Sequence, residues 1–309
     1  MKREFHQCQW DDILEADWQE LLQLAIREDL DGDGDWTTRS LVPRGAIGQA
    51  VIVARQSGVV AGLAGVNFTL AAFDKDLSWS PETHDGQMVE QGSRIGTIRG
   101  PVHGLLAAER LLLNFLGRLS GIASLTRQYV EAVAGTAARI FDTRKTTPGW
   151  RRLEKYAVRC GGGWNHRGGL FEAVLIKDNH LAWCAKSSAE VSNYTPSEAV
   201  LRARRYITEN ATTKDPSAMI VEVEVDTMEQ LDQVLPAGPD IVLLDNMSVE
   251  QLSEAVARRN KINPTVELEA SGGVTLSTVR RIAETGIERI SVGALTHTAS
   301  ALDFGLDWL

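Results

Sequence analysis

Residues 220–225, I-V-E-V-E-V, are followed by M-E-Q-L-D-Q-V-L at 228–235 and by I-V-L-L-D at 241–245. The outer runs are apolar and β-branched apart from Glu222, Glu224 and Asp245, and the middle run repeats its apolar residues at helical spacing. Two near-continuous apolar strands joined through a helix pair in parallel. Outward from this unit the alternation recurs. Arg139–Asp142, Ala173–Lys177, Val266–Ala270 and Arg289–Val292 read as strands, and Trp150–Arg159, Ser197–Glu209, Val249–Arg259 and Leu276–Glu284 as helices. No G-x-G-x-x-G follows the first of these strands, which weighs against a dinucleotide-binding sheet. Small, Gly-rich turns after the last two strands suit a barrel. The expected fold class is α/β, with a C-terminal β/α barrel-like domain of about six units, an incomplete barrel, at residues 118–309.

The first part reads differently. Residues 10–30 carry a helical stripe of Ile13, Leu14, Trp18, Leu21, Leu22 and Ala25. Short β-like runs follow at Q-A-V-I-V-A-R (49–55), G-V-V-A-G-L (58–63) and R-I-G-T-I-R (94–99), punctuated by glycines. From Leu105 to Val133 the helical period returns in a long apolar segment that links the halves. An N-terminal α+β domain over residues 1–117 is expected, with the extreme C-terminus packing back on it.

The chain has 309 residues, 43% hydrophobic and 24% charged, as in a globular protein that buries a real core. No apolar run nears the ~18 residues needed to span a membrane. The N-terminus lacks the apolar segment of a secretory signal. Cys8, Cys160 and Cys184 form no C-x-x-C pair and no even disulfide set. A cytoplasmic protein with reduced thiols is expected. A formal charge of −9 argues against nucleic acid as partner.

Against that global sign, residues 144–177 hold eight cations, Arg144, Lys145, Arg151, Arg152, Lys155, Arg159, Arg167 and Lys177, and two acids, Glu154 and Glu172. His166 lies among them. A basic surface helix would account for part of this. However, Arg144, Lys145 and Lys177 each follow an apolar run, at strand ends, where α/β folds place ligands. An anion site is expected there.

Glu222 and Glu224 lie two apart on a strand and face the same way. Together with Asp245 at the next strand end, Glu224 could hold Mg²⁺ or orient hydroxyls, while salt bridges to the nearby cations are the plainer reading. Glu269 is a weaker candidate of the same type. Ser271-Gly272-Gly273 and Val292-Gly293 each precede an expected helix and can offer a phosphate their backbone N–H groups, with the helix dipole favouring the anion. The run from Asp29 begins like an EF-hand loop but has Ser40 in place of the closing glutamate, and reads as a polar turn. The Asp85–Gly100 stretch has the turn pattern of a lipoyl-type carrier without the lysine, and reads as structural. Lys177 could instead form a Schiff base, as in aldolases.

The strings T-R-K-T-T-P-G, G-G-G-x-N-H-R, L-I-K-D-N-H, V-E-V-E, L-L-D-N, E-A-S-G-G and S-V-G-A-L-T-H, in this order, resemble quinolinate phosphoribosyltransferase, also called nicotinate-nucleotide pyrophosphorylase (carboxylating). E-D-L-x-G-D-G-D-x-T-T and A-E-R-L-L-L-N-F-L-G-R-L-S-G-I-A look like the same family. Glu172 stands where its pattern has Asp. The resemblance implies an enzyme that joins quinolinate to phosphoribosyl pyrophosphate with Mg²⁺, giving nicotinate mononucleotide, pyrophosphate and CO₂ for NAD biosynthesis. It implies a quinolinate pocket of Arg144, His166, Arg167 and Lys177, with Lys145 toward the phosphates. It further implies Arg110 reaching into a partner subunit's site in a homodimer, with or without higher assembly. Glu224 and Asp245 would serve the ribose and the metal, and Ser271, Gly272, Gly273, Val292 and Gly293 the phosphate. A nicotinate-type phosphoribosyltransferase without decarboxylation is the alternative within the class.

Overall fold

The computed structural model describes residues 2–187, 195–210, 215 and 218–309. The helices run α1 Asp12–Leu30, α2 Trp36–Leu41, α3 Val66–Phe73, α4 Val102–Ala132, α5 Arg151–Cys160, α6 Asp178–Ser187, α7 Pro196–Asn210, α8 Met228–Val234, α9 Val249–Ile262, α10 Val279–Ala283 and α11 Ala294–His297. The strands run β1 Ile47–Ala54, β2 Gly58–Val59, β3 Ser78–Pro81, β4 Met88–Val89, β5 Arg94–Pro101, β6 Arg139–Phe141, β7 Ala173–Ile176, β8 Ile220–Val225, β9 Ile241–Asp245, β10 Glu267–Ser271, β11 Arg289–Ser291 and β12 Phe304–Trp308. They form two compact units: Met1–His6 with Tyr129–Arg144 and Trp164–Gly293, and Gln7–Gln128 with Lys145–Gly163 and Ala294–Leu309.

The first unit is the barrel-like one. Its six strands are parallel in the order β6-β11-β10-β9-β8-β7. Among the described residues β6 and β7 are the two edge strands and do not pair with each other, as the incomplete barrel read from the sequence requires. β8 and β9 match their expected bounds, and the other four strands shift by a residue at one or both ends. Capping boxes at Thr227/Gln230 and Ser248/Gln251 start α8 and α9. α10 is shorter than expected. The Thr275 N–H donates to Thr278 Oγ1 at 3.0 Å and Thr278 N–H to Thr275 O at 3.1 Å, a side-chain-braced turn that occupies the residues expected to open the helix. α6 was not expected, because D-N-H-L-A-W-C-A-K-S has no continuous apolar stripe, and Trp183 is exposed.

The second unit holds an antiparallel sheet, β12-β1-β5-β3, with α1, α3 and most of α4. Leu105, Ala108, Leu112 and Leu116 of α4, spaced three and four apart, pack with Ala50, Ile52, Ile95 and Ile98 of the sheet. Of the α1 stripe, Leu14, Trp18 and Leu22 are buried, but Ile13 is exposed. Gly117 and Gly121 of α4 let the chain ahead of β12 cross closely. The Leu302 N–H donates to Gly117 O at 2.9 Å. A Cβ at Gly121 would lie 2.0 Å from Ser300 O. Neither backbone can yield cheaply, so Gly121→Ala should destabilise the protein by ~1–3 kcal/mol in calorimetry or urea unfolding. An unchanged midpoint would mean that the crossing is looser than this.

Candidate active site

The C-terminal rim of the parallel sheet collects the polar residues. Lys177 directly follows β7, Glu224 is the penultimate residue of β8, and Asp245 and Ser271 end β9 and β10. Ser271 sits opposite Asp245 in register, and Glu224 lies opposite Leu243 on the other side of β9. Lys177 Nζ ion-pairs with Glu224 Oε2. Burial raises the Glu224 pKa, Lys177 lowers it, and the charge of Asp245 raises it again. The two carboxylates therefore feel each other, and their oxygens are the donors a hard divalent cation takes. They fit Mg²⁺ in kind.

Two residues earlier on β8, Glu222 points the same way and is fully buried. Its Oε2 lies 3.1 Å from His166 Nε2, and Glu269 Oε1 of β10 lies 3.4 Å from the same nitrogen. Glu269 Oε2 accepts from Arg289 Nε at 3.0 Å. Both acids thus make ionic contacts, Glu222 to His166 and Glu224 to Lys177, which was the reading weighed beside the metal or hydroxyl role for this group. Asp142, at the end of the run that opens the basic segment, is fully buried. It takes the His166 amide at 2.9 Å and Asn165 Nδ2 at 2.6 Å, fixing the loop that presents His166 and Arg167.

Arg167 is buried, with Nη1 donating to Ala173 O at 3.1 Å. Burial lowers its pKa, Glu222 raises it, and the neighbouring Arg144 guanidinium lowers it again. The buried Nε–H groups of Arg144 and Arg167 have no hydrogen-bond acceptor among the described residues. Two guanidiniums close enough to repel, each with an unused buried donor, form a site for an anion with more than one oxygen. Glu172, aspartate in the family pattern, accepts the His6 amide at 2.7 Å and also takes the Gly168 amide behind this loop.

The turn after β10 needs its glycines. Gly272 has φ +93° and Gly273 +61°. A Cβ at Gly272 would meet Asn246 Oδ1 at 2.2 Å. Helix dipoles contribute little here, contrary to the sequence reading. α10 starts only at Val279, and α11, which follows Val292 and Gly293, has four residues, while the Val292 N–H is spent on Phe141 O at 2.9 Å. Lys145 and Arg110 belong to the other unit, and both are exposed, Arg110 on α4. Arg139, Glu267 and Arg289 escaped the sequence reading, although a charge heading an otherwise apolar strand is a readable signal.

Around His166, burial pulls the pKa down while Glu222 and Glu269 pull it up further, to about 9. Glu269 is pushed up by burial and held well below the usual carboxylate range by His166 and Arg289. A raised histidine contributes stability that is complete below its ordinary value of 6.5 and is lost as the pH climbs through about 9. The depressed carboxylate contributes stability that is complete above its ordinary value of 4.5 and is lost in acid. The melting temperature should therefore fall between pH 6.5 and 9. His166→Gln should flatten that fall in calorimetry at a series of pH values. A variant with the wild-type slope would remove His166 from the account.

Known proteins are similar to this chain over most of its length. Residues 35–120 match the family described as Quinolinate phosphoribosyl transferase, N-terminal domain, and residues 122–307 match its C-terminal domain. The nicotinate-nucleotide pyrophosphorylase [carboxylating] of Mycobacterium leprae is 42% identical, the match covering 93% of this chain and 95% of that protein. Quinolinate phosphoribosyltransferase [decarboxylating] 1b of Nicotiana tabacum is 38% identical over 93% of this chain and 81% of its own length. The structure of the nicotinate-nucleotide pyrophosphorylase from Francisella tularensis superposes with a TM-score of 0.86 at 33% identity, covering 99% of this chain and 100% of that one. The human nicotinic acid phosphoribosyltransferase, at 12% identity and a TM-score of 0.62, shares the fold. This chain belongs to the quinolinate phosphoribosyltransferase family.

Proposed function

We propose that this protein transfers the phosphoribosyl group of phosphoribosyl pyrophosphate to the ring nitrogen of quinolinate, with loss of the 2-carboxylate as CO₂, yielding nicotinate mononucleotide and pyrophosphate. The observation that carries the reading is the pair of guanidiniums, Arg144 and Arg167, with unused buried donors. Quinolinate carries two carboxylates, and planar guanidinium forks suit them. Nicotinate has one carboxylate and would leave a buried donor unsatisfied, which favours the decarboxylating reaction over the nicotinate-type alternative. The Schiff-base reading of Lys177 loses ground. The ammonium is partly exposed and paired with Glu224, the opposite of a desolvated amine.

The chain's own groups then divide the work. Arg144, His166, Arg167 and Lys177 hold the dianion, with Lys145 toward the phosphates. Glu224 and Asp245 face the ribose, whose developing positive charge they stabilise. The turns at Ser271, Gly272 and Gly273 and at Val292 and Gly293 take the phosphate, Val292 shaping its turn through the bond from its N–H to Phe141 O. Glu224 and Asp245 are also the residues that would hold Mg²⁺, which when bound neutralises the departing pyrophosphate. Once ribose is attached, the ring nitrogen is positive and accepts the electron pair released by CO₂ loss, so no covalent residue is needed. Arg110 completes a partner subunit's site in a homodimer, and the protein works in the cytoplasm. Among the described residues no helix is long and apolar enough to cross a membrane.

Purified protein with Mg²⁺, quinolinate and phosphoribosyl pyrophosphate should release nicotinate mononucleotide and CO₂ in equal amounts. Turnover of nicotinate alone would overturn the substrate reading. Removing divalent ions with EDTA should stop the reaction, and Mg²⁺ should restore it. Arg144→Ala should raise the quinolinate KM roughly ten- to hundredfold, the worth of a charge-assisted hydrogen bond, with little change in melting temperature. Inactive Arg110→Ala and Lys177→Ala proteins, mixed under subunit exchange, should regain part of the activity. No recovery in exchanged dimers would count against a shared site.

A further inference from the structure

We propose that residues 2–6 plug the end of the barrel away from the catalytic rim, and that Phe5 is a positioning residue for His166. The inference rests on the functional reading above only in taking His166 as a quinolinate contact. The segment reaches the first residue of all six barrel strands. Glu4 bonds Arg139 of β6 at 2.8 Å and Arg289 of β11 at 3.3 Å. Lys2 bonds Glu267 of β10 at 3.2 Å. Phe5 forms one buried cluster with Ala173 of β7, Ile220 of β8 and Ile241 of β9. Arg3 pairs with Asp240, immediately before β9, and the His6 amide donates to Glu172, immediately before β7.

Phe5 reaches furthest in. It is 3% exposed and stacks on the His166 ring, with centroids 4.4 Å apart and planes 29° from parallel. The Arg289 guanidinium lies 5.0 Å from the other ring centroid of interest, that of Phe5, and 3.7 Å from that of Phe141. Glu222 and Glu269 hold His166 at Nε2, and the Arg167 amide donates to its Nδ1 at 2.8 Å, which fixes the line through the two nitrogens but not the tilt of the ring about that line. A stacked aromatic face removes that freedom, and catalytic contacts lose their worth with small misplacements. The plug thus sets the imidazole from the end of the barrel opposite the rim, through the ring of Phe5.

The test uses the full chain with Phe5→Ala and Phe5→Tyr. Phe5→Ala should raise the quinolinate KM about tenfold while the phosphoribosyl pyrophosphate KM moves less than about twofold, since only one substrate meets His166. Phe5→Tyr, which restores a ring, should bring the quinolinate KM most of the way back. An unchanged quinolinate KM, or both KM values rising together, overturns the proposal. If Phe5→Ala is insoluble, Glu4→Gln loosens the same plug and should give the same selective rise, smaller in size, and its absence overturns the proposal equally. If the unaltered protein turns over neither quinolinate nor nicotinate, the functional reading fails by itself. The plug is then judged by a crystal structure of the variant: a displaced His166 ring supports positioning, and a ring still seated between Glu222 and Glu269 refutes it.

Discussion

Arg289 brings a full positive charge into a place without water, and much of the barrel's interior is arranged around that fact. Taking a guanidinium out of solvent costs several kcal/mol, recovered only when its donors meet anions in good geometry. Here Glu267 and Glu269 face it within its own sheet, and Phe5 and Phe141 lie against its flat faces. Glu269 is then shared with His166, and His166 with Glu222. The interior is a chain of alternating charge in which each member is the condition for burying the next.

Strand geometry turns this chain into a platform. Along β8 the inward positions are Ile220, Glu222 and Glu224, separated by two residues each, or roughly 6–7 Å per step. The lowest level is apolar, the middle one anchors His166, and the upper one pairs with Lys177 at the rim. Reacting groups stand on a layer that is already held by ion pairs, so little of their ordering has to be supplied when substrate binds. The conformational freedom that remains is kept for backbone, at the paired positive-φ glycines after β10.

The alternation of apolar strands and helical runs was plain in the sequence because parallel strands buried on both faces must be nearly continuous in apolar residues. That made the six strands of the incomplete barrel readable to within about a residue. The basic run from Arg144 to Lys177 was readable as a candidate anion site because a charge excess stands out against an acidic chain, whereas the grouping of Arg144, His166, Arg167 and Lys177 came from the family resemblance. Three things were not. α6 lacks an apolar stripe, so periodicity had nothing to find. The start of α10 yielded to a hydroxyl-braced turn at Thr275 and Thr278, a competition that spacing does not report. The partners of Arg139 and Arg289 include Glu4, 135 and 285 residues away, and no local pattern announces a contact of that range.

The two ends of the chain are exchanged between the units: Met1–His6 belong with the barrel strands, and Ala294–Leu309 with the sheet whose other strands come early. β1 waits for β12, pairing Val53 with Gly305. During synthesis the early sheet therefore emerges with one edge uncovered and keeps it so until β12 has been made. An open edge of β1 is a template for the wrong strand, from another copy or from a nascent neighbour. A chain cut just before β12 would keep the barrel strands and the residues at their rim, yet would leave that edge bare for good. Truncation there should accordingly be read as an aggregation lesion rather than as a loss of chemistry.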